Sequence, residues 1–358
     1  MINPKKILIL KFKNIGDVLL VTPLISNLKN SFPNTLIDIA VNSGTEEMVT
    51  LNPNLNEVIV YNRSKIKALG FIKRVWAEIK FVLNLRSKNY DLVINTTKGD
   101  RGTLIALLSK SKIKIGYKNK KNKLLKNVFT QNLPPQQFRH TIESNLDALR
   151  ILDLPIKNKK VEIFWNKKDA IFINNLVTCE EFIHIHPVSR WMFKCIDDKS
   201  MAKIIDYCEL ELKKKVILTS APVKQELNKI KSIQKLCKSK PINLSGKLSL
   251  KQTAALNKKA KFFIGVDTAI MHISAANNTP VLAFFGPSWA NYWGPWDNDL
   301  LKSGYTAKKG IRGMGKHIVF QADWNCVPCG LDGCNSSKVS DCLIDINIEE
   351  IKKFINQL

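Results

Sequence analysis

The segment FFIGVDTAIMHISAANNTPVLAFFGPS (residues 262–288) sets Asp267, Thr268 and His272 between two apolar runs. An apolar run that ends in Asp-Thr and passes into a helical pattern places a carboxylate and free backbone amides at one spot. The amides of a helix amino end attract an anion, and the carboxylate accepts hydroxyl hydrogens. His272 falls one turn into that helix, on the face of Thr268. A carboxylate for sugar hydroxyls beside a helix amino end for phosphate is what a nucleotide-sugar pocket requires, although an N-cap aspartate with a core-facing histidine would leave the same pattern. A second loop, HIHPVSRWMFKCIDD, carries Ser189, Arg190 and Lys194 ahead of a helix opening near Asp197 or Asp198. A hydroxyl, a guanidinium and an ammonium there can converge on phosphate oxygens. Its two histidines, His184 and His186, read as packed or hydrogen-bonded within the strand end. A third loop, KNIGDVLLVTPLISNLKNSFP, has Asp17 at the start of a helix that stops at Pro33, and Asp17 reads either as a helix cap or as a general base. No GxGxxG follows the first strand, so the dinucleotide fingerprint is absent.

These loops are useful only if a sheet holds them. Short apolar runs at 6–12, 36–41, 57–61, 91–97 and 113–117 alternate with amphipathic stretches, which predicts a parallel sheet with helices on both faces. A polar stretch at 154–169 reads as a linker. The alternation restarts at 182–188, 215–222, 241–246, 261–266 and 280–286, and the tail NIEEIKKFINQL reads as a closing amphipathic helix. Two doubly wound α/β domains in series follow, at 1–165 and 166–345, with the closing helix at 346–358. In such sheets ligands bind beyond the carboxyl ends of strands, which is where all three loops lie.

The bulk composition agrees with a soluble, two-domain chain. At 358 residues, 45% apolar and 24% charged, it has the balance of a globular protein, and no apolar run approaches the length of a membrane span. The amino terminus reads as a first strand, not a signal peptide, so a cytoplasmic location is expected, with the eight cysteines reduced or metal-bound. The formal charge of +26 favours polyanions, whether nucleic acid, anionic membrane or phosphorylated glycolipid. It is uneven: residues 1–165 hold 28 basic and 12 acidic side chains, and residues 110–126 alone hold eight lysines. That run reads equally as a solvated surface or as an anionic-surface contact, and it lacks the interleaved aromatics of a single-strand platform. Cys326, Cys329, Cys334 and Cys342 lie within seventeen positions, a spacing open to structural zinc or to plain thiols.

The segments GDVLLVTPLISNLKNSFP, HPVSRWMFKC, LSGKLSLKQTAALNKKAKFFIGVDTAIMHISAANNTPVLAFFGPS and CVPCGLDGCNSSKVSDCL together resemble the family 9 glycosyltransferases, the lipopolysaccharide heptosyltransferases, with the branch that adds the third core heptose nearest. The resemblance runs in order along nearly the whole chain. It implies a GT-B architecture of two Rossmann-like domains facing a cleft, an amino-terminal acceptor domain and a carboxy-terminal donor domain for ADP-heptose. By that resemblance Asp17 is the general base, Ser189 and Lys194 meet the diphosphate, and Asp267 meets heptose hydroxyls. Thr268, Ala269 and His272 line the donor site, Glu226 stands where a ribose-binding carboxylate is placed, and no metal or other cofactor is needed. Lys98 and Arg101 are weaker acceptor candidates.

The expected activity is therefore inverting transfer of heptose from ADP-L-glycero-D-manno-heptose to the lipopolysaccharide inner core, onto an existing heptose. The acceptor is a phosphorylated glycolipid, with peripheral contact to the anionic inner membrane and none to nucleic acid. A GT-B transferase using another nucleotide sugar, and a non-enzymatic basic module binding nucleic acid or membrane, remain the alternatives. A binding module has no need of Asp17 and Asp267 at strand ends in both domains.

Overall fold

The computed structural model describes residues 2–119, 122–135, 137–344 and 346–357. Lys120 and Lys121 of the lysine run, the expected domain limit at residue 345 and the last residue of the closing segment lie outside the described residues. The chain forms two compact units. The first comprises residues 1–137 and 141–164, the second residues 138–140 and 165–358.

The first unit is built on six strands: β1 (Lys6–Lys11), β2 (Leu36–Asn42), β3 (Glu57–Tyr61), β4 (Leu92–Asn95), β5 (Ile113–Gly116) and β6 (Gln131–Asn132). Every pairing is parallel, in the order β3-β2-β1-β4-β5-β6. Ile7, Leu8, Ile9 and Leu10 of β1 are wholly buried, as a central strand covered on both faces demands. The chain winds outward from β1 through β2 to β3, then returns to lay β4 against the other side of β1, with Leu10 opposite Asn95. The direction of winding thus reverses between β1 and β4. Doubly wound sheets open a crevice at such a reversal.

The second unit repeats the plan with β7 (Phe182–His186), β8 (Lys215–Leu218), β9 (Ile242–Asn243), β10 (Phe262–Val266), β11 (Val281–Phe285), β12 (Arg312–Met314) and β13 (His317–Gln321). The order is β12-β13-β11-β10-β7-β8-β9, parallel except for the β12–β13 hairpin. Winding reverses between β7 and β10, which are paired from Phe262 against Ile183 to Gly265 against His186. The tail forms the expected helix, Ile348–Ile355, capped by Asn347 and burying Ile351 and Ile355 against the same core.

Three expectations need correction. The segment after β1 is two helices, Ile15–Leu19 and Thr22–Ser31, broken ahead of Pro23, which lacks the amide an uninterrupted helix would use there. The 154–169 stretch is no free linker over its first half. Asn27 accepts from the Lys157 amide at 2.7 Å and donates to the Asn158 carbonyl at 2.7 Å, while Val161 and Ile163 are buried. The strand expected at 241–246 is only two residues long, and β6, β12 and β13 had no counterpart in the apolar pattern.

Gly265 marks how tightly β10 is enclosed. A Cβ there would lie 2.5 Å from the fully buried Phe263 ring and 2.8 Å from the His186 carbonyl oxygen. Gly265→Ala should lower unfolding free energy by about 1–3 kcal/mol, although alanine suits a strand better than glycine. Urea unfolding measures this, and an unchanged midpoint would show that the β7–β10 seam has slack.

Candidate active site

Both reversals of winding carry the residues singled out in the sequence. In the second unit, β7 leads into Pro187, Val188 and Ser189, then a single turn at Met192–Lys194. Strand β10 ends at Val266, and Asp267 and Thr268 lead into the helix Ala269–Ala276. The two loops meet: Lys194 Nζ lies 2.5 Å from Asp267 Oδ2, across 73 positions of sequence. The Asp267 side chain is only 9% exposed and that of Lys194 22%, so the pair is sheltered but reachable from one side. An ion pair so placed has little surrounding water to screen it, and losing either partner would strand the other charge.

Around this pair the remaining donor candidates fall at different distances from the chemistry. Thr268 occupies the N-cap position with extended backbone, yet its side chain makes no capping bond, and among the described residues its buried Oγ1 has no hydrogen-bond partner. A buried hydroxyl without a partner beside unpaired helix amides is unusual unless something else fills the site. Ala269 opens the helix and His272 is buried one turn in. Ser189 is buried and its Oγ accepts from the Trp191 amide at 3.2 Å. Glu226, in the first turn of the Lys224–Leu236 helix after β8, is buried and accepts from the Ala221 amide at 2.8 Å. Burial raises its carboxyl pKa. Arg190 is exposed, with its guanidinium 5.2 Å from the half-exposed Trp191 ring.

The histidines of β7 serve the scaffold. His184 Nε2 and His186 Nδ1 both meet Thr219 Oγ1, at 2.7 and 2.9 Å, and His184 Nδ1 meets the Asn257 amide at 2.9 Å. Burial pushes both imidazoles down to about 3. Thr219 and Asn257 were not legible as partners, since nothing in their local sequence points to a strand 35 or 73 positions away.

In the first unit, Asp17 lies in the first turn of the Ile15–Leu19 helix. Asn14 occupies the cap position and makes no side-chain capping bond, and Asp17 is the acidic residue of the first turn. Beneath it is Lys11, the buried end of β1, which donates to Asn145 Oδ1 at 3.0 Å. Burial lowers the Lys11 pKa to about 8, against an upward pull from Asp17. Lys11 escaped the sequence reading because a single lysine closing an apolar run looks like an ordinary strand end. Across the reversal, beyond β4, Lys98 and Arg101 flank Gly99, which takes a positive φ of 123°. Arg101 lies 4.1 Å from the Tyr61 ring centroid and Lys98 5.3 Å from that of Tyr117.

The cysteine segment packs against the loop after β7: Ser340 Oγ donates to the Phe193 carbonyl at 2.6 Å, and the Asp197 amide donates to the Leu343 carbonyl at 3.2 Å. Cys326 and Cys329 are exposed, Cys334 is half-buried and Cys342 is buried. Burial, and then the charges of the other three, push the Cys342 thiol up to about 12. Among the described residues no three His, Cys, Asp or Glu side chains are grouped to hold a metal ion.

Two Rossmann-like units, each with chemically equipped loops where its sheet reverses, define a GT-B glycosyltransferase. The chain belongs to glycosyltransferase family 9 (heptosyltransferase), whose sequence profile it matches over residues 79–311. It is 31% identical over 294 residues to lipopolysaccharide heptosyltransferase 3 of Escherichia coli, covering 80% of this chain and 85% of that one. The glycosyl transferase family 9 structure from Veillonella parvula superposes with a TM-score of 0.81 at 19% identity, over 99% of this chain and 96% of that one. The E. coli heptosyltransferase WaaC with ADP gives 0.75 at 18% identity, over 98% and 99%. The non-enzymatic alternative is thereby set aside.

The buried histidines generate a pH dependence of stability. The unfolded chain binds protons on both imidazoles below about 6.5 while the folded chain does not, so folding stability is intact above that value and falls as pH drops toward 3. Between pH 7 and pH 5 the loss should be about 2 kcal/mol per imidazole. Urea unfolding at the two pH values tests it; equal stabilities would mean that water reaches the rings.

Proposed function

We propose that this glycosyltransferase moves heptose from ADP-L-glycero-D-manno-heptose to the inner core of lipopolysaccharide, onto a heptose already in place, with inversion at the anomeric carbon. The observation that carries the reading is the Lys194–Asp267 bond at the reversal of the second sheet. It puts a cation and a carboxylate side by side next to unpaired helix amides, the complement of a diphosphate joined to a polyol. Lys194, the Ser189 hydroxyl and the amides at Thr268 and Ala269 take the diphosphate, and Asp267 accepts sugar hydroxyls. Thr268 Oγ1 supplies a further donor, while Glu226 takes the ribose hydroxyls and His272 backs the donor loop.

In the reaction, an acceptor hydroxyl oxygen bonds to the anomeric carbon from the face opposite the diphosphate. The bond from that carbon to the diphosphate breaks, its electron pair leaving with ADP, and the hydroxyl proton passes to Asp17. The leaving group needs positive charge more than it needs an acid, which Lys194 and the helix amino end supply. Asp17 suits the base: it is a carboxylate beyond the first strand, at the reversal of the first sheet, and it does not occupy the cap position, which is Asn14. Lys98 and Arg101, across the same reversal, offer cations for core phosphates. The excess of basic residues in 1–165 adds electrostatic attraction to the anionic leaflet holding the acceptor.

Two outcomes test the reading. ADP should raise the melting temperature where UDP and GDP do not, by mass action on the folded state. Equal stabilisation by all three would remove the adenine preference. Asp17→Asn should fold and bind ADP as before but lose transfer by roughly 10²- to 10⁴-fold, the usual cost of a missing general base. Transfer within a fewfold of normal would leave the reaction without a base.

A further inference from the structure

The helix Phe71–Ser87 has one broad apolar surface, and only one side of it is used. Leu85 is buried, and Phe81 and Val82 pack with it against the first unit's core. Beside them, rotated away from the core, Phe71, Ile72, Val75, Trp76, Ile79 and Leu83 are exposed. Phe71 is 82% exposed, Ile72 72% and Trp76 66%, values far outside the range for large apolar side chains that merely border a core. At 100° per residue these six fall within an arc of about 140°, and they run for most of the roughly 25 Å of the helix. Leu69, also exposed, extends the strip beyond the first turn.

The charges around the strip have one sign. Lys73 and Lys80 are exposed along its edge, Arg86 follows near its end, and Lys65 and Lys67 are exposed in the short helix Arg63–Lys67 just before it. Glu78 is the only acidic residue of the long helix, and it is turned inward, accepting from the Tyr61 hydroxyl. Large apolar side chains bordered by cations, on a helix lying along a protein surface, fit the interfacial layer of an anionic bilayer: the rings and aliphatic groups enter the acyl boundary and the cations stay with the phosphates. A second copy of the chain fits less well, because a symmetric contact would bring Lys73 and Lys80 of both copies together. Among the described residues no helix is long and apolar enough to cross a membrane, so the face can lie on a bilayer but not span it.

We infer that the outward face of Phe71–Ser87 is the membrane-docking surface of this enzyme, seating the first unit on an anionic phospholipid leaflet. This rests on the proposed glycolipid acceptor and adds the element that reaches the leaflet. The test is co-sedimentation of the full chain with vesicles of phosphatidylcholine, alone or mixed with phosphatidylglycerol. Transfer to a deacylated, water-soluble core acceptor is measured in parallel. The intact chain should bind the mixed vesicles, less so as salt rises. Phe71→Ser/Ile72→Ser/Trp76→Ser should bind them at least about tenfold more weakly, with melting temperature and soluble-acceptor transfer unchanged. In Trp76→Phe, binding should persist while quenching of tryptophan emission by brominated lipid falls. Equal vesicle binding by the triple variant, or no binding by the intact chain at low salt, overturns the inference. A triple variant that turns a dimer into a monomer without losing vesicle binding assigns the face to self-association and overturns it too. Absence of transfer to the soluble acceptor by every form would instead count against the proposed reaction, whatever the vesicles show.

Discussion

The Lys194–Asp267 bond is the constraint on which the second unit's arrangement depends. Its two members come from loops that only a winding reversal brings together: Lys194 follows β7 and Asp267 follows β10, strands that are neighbours although 73 residues separate the pair. For the bond to close, β7 and β10 must pair in register, and Gly265 must stay bare where it faces the Phe263 ring and the His186 carbonyl. Beneath that seam, Thr219 ties both imidazoles and Asn257 that of His184, and burial disfavours their charged forms. The scaffold thus converts buried polar bonds and tight packing into a defined separation between one cation and one carboxylate.

On the proposed reading the bond also has a role before substrate binds. A lysine at a diphosphate site faces the problem of where its charge rests before substrate arrives, and a sheltered carboxylate answers it. On the proposed reading, an entering nucleotide sugar competes through its phosphate oxygens for the ammonium and through its sugar hydroxyls for the carboxylate, and the pair exchanges its internal bond for two ligand bonds. The first unit solves a related problem at its own reversal, where the buried ammonium of Lys11 is held by Asn145 and lies within the field of Asp17.

The alternation of apolar and amphipathic runs located ten of the strands, because strands buried on both faces are written as continuous Val, Ile, Leu and Phe. It placed Asp17, Ser189, Lys194 and Asp267 at their carboxyl ends. Strands of two or three residues such as β6 and β12 were not legible, since so few residues carry no period, and the β12–β13 hairpin is hidden in a segment dominated by glycine and lysine. Lys11, Thr219 and Asn257 are sites of long-range contact with no local mark. The Phe71–Ser87 helix shows a different limit. Its sequence reveals that it is rich in apolar residues, but only the packing shows which side of its apolar surface is core and which is left outward.

The central claim is that Asp267 reads the sugar while Lys194 and the helix amino end read the diphosphate. Calorimetric titration of Asp267→Asn with ADP and with ADP-heptose separates the two most directly. The account predicts that ADP binds no more weakly than to the unaltered protein, since asparagine can still accept from Lys194, while the extra affinity contributed by the heptose disappears. A variant that keeps the full preference for ADP-heptose over ADP, or loses both ligands equally, would contradict it.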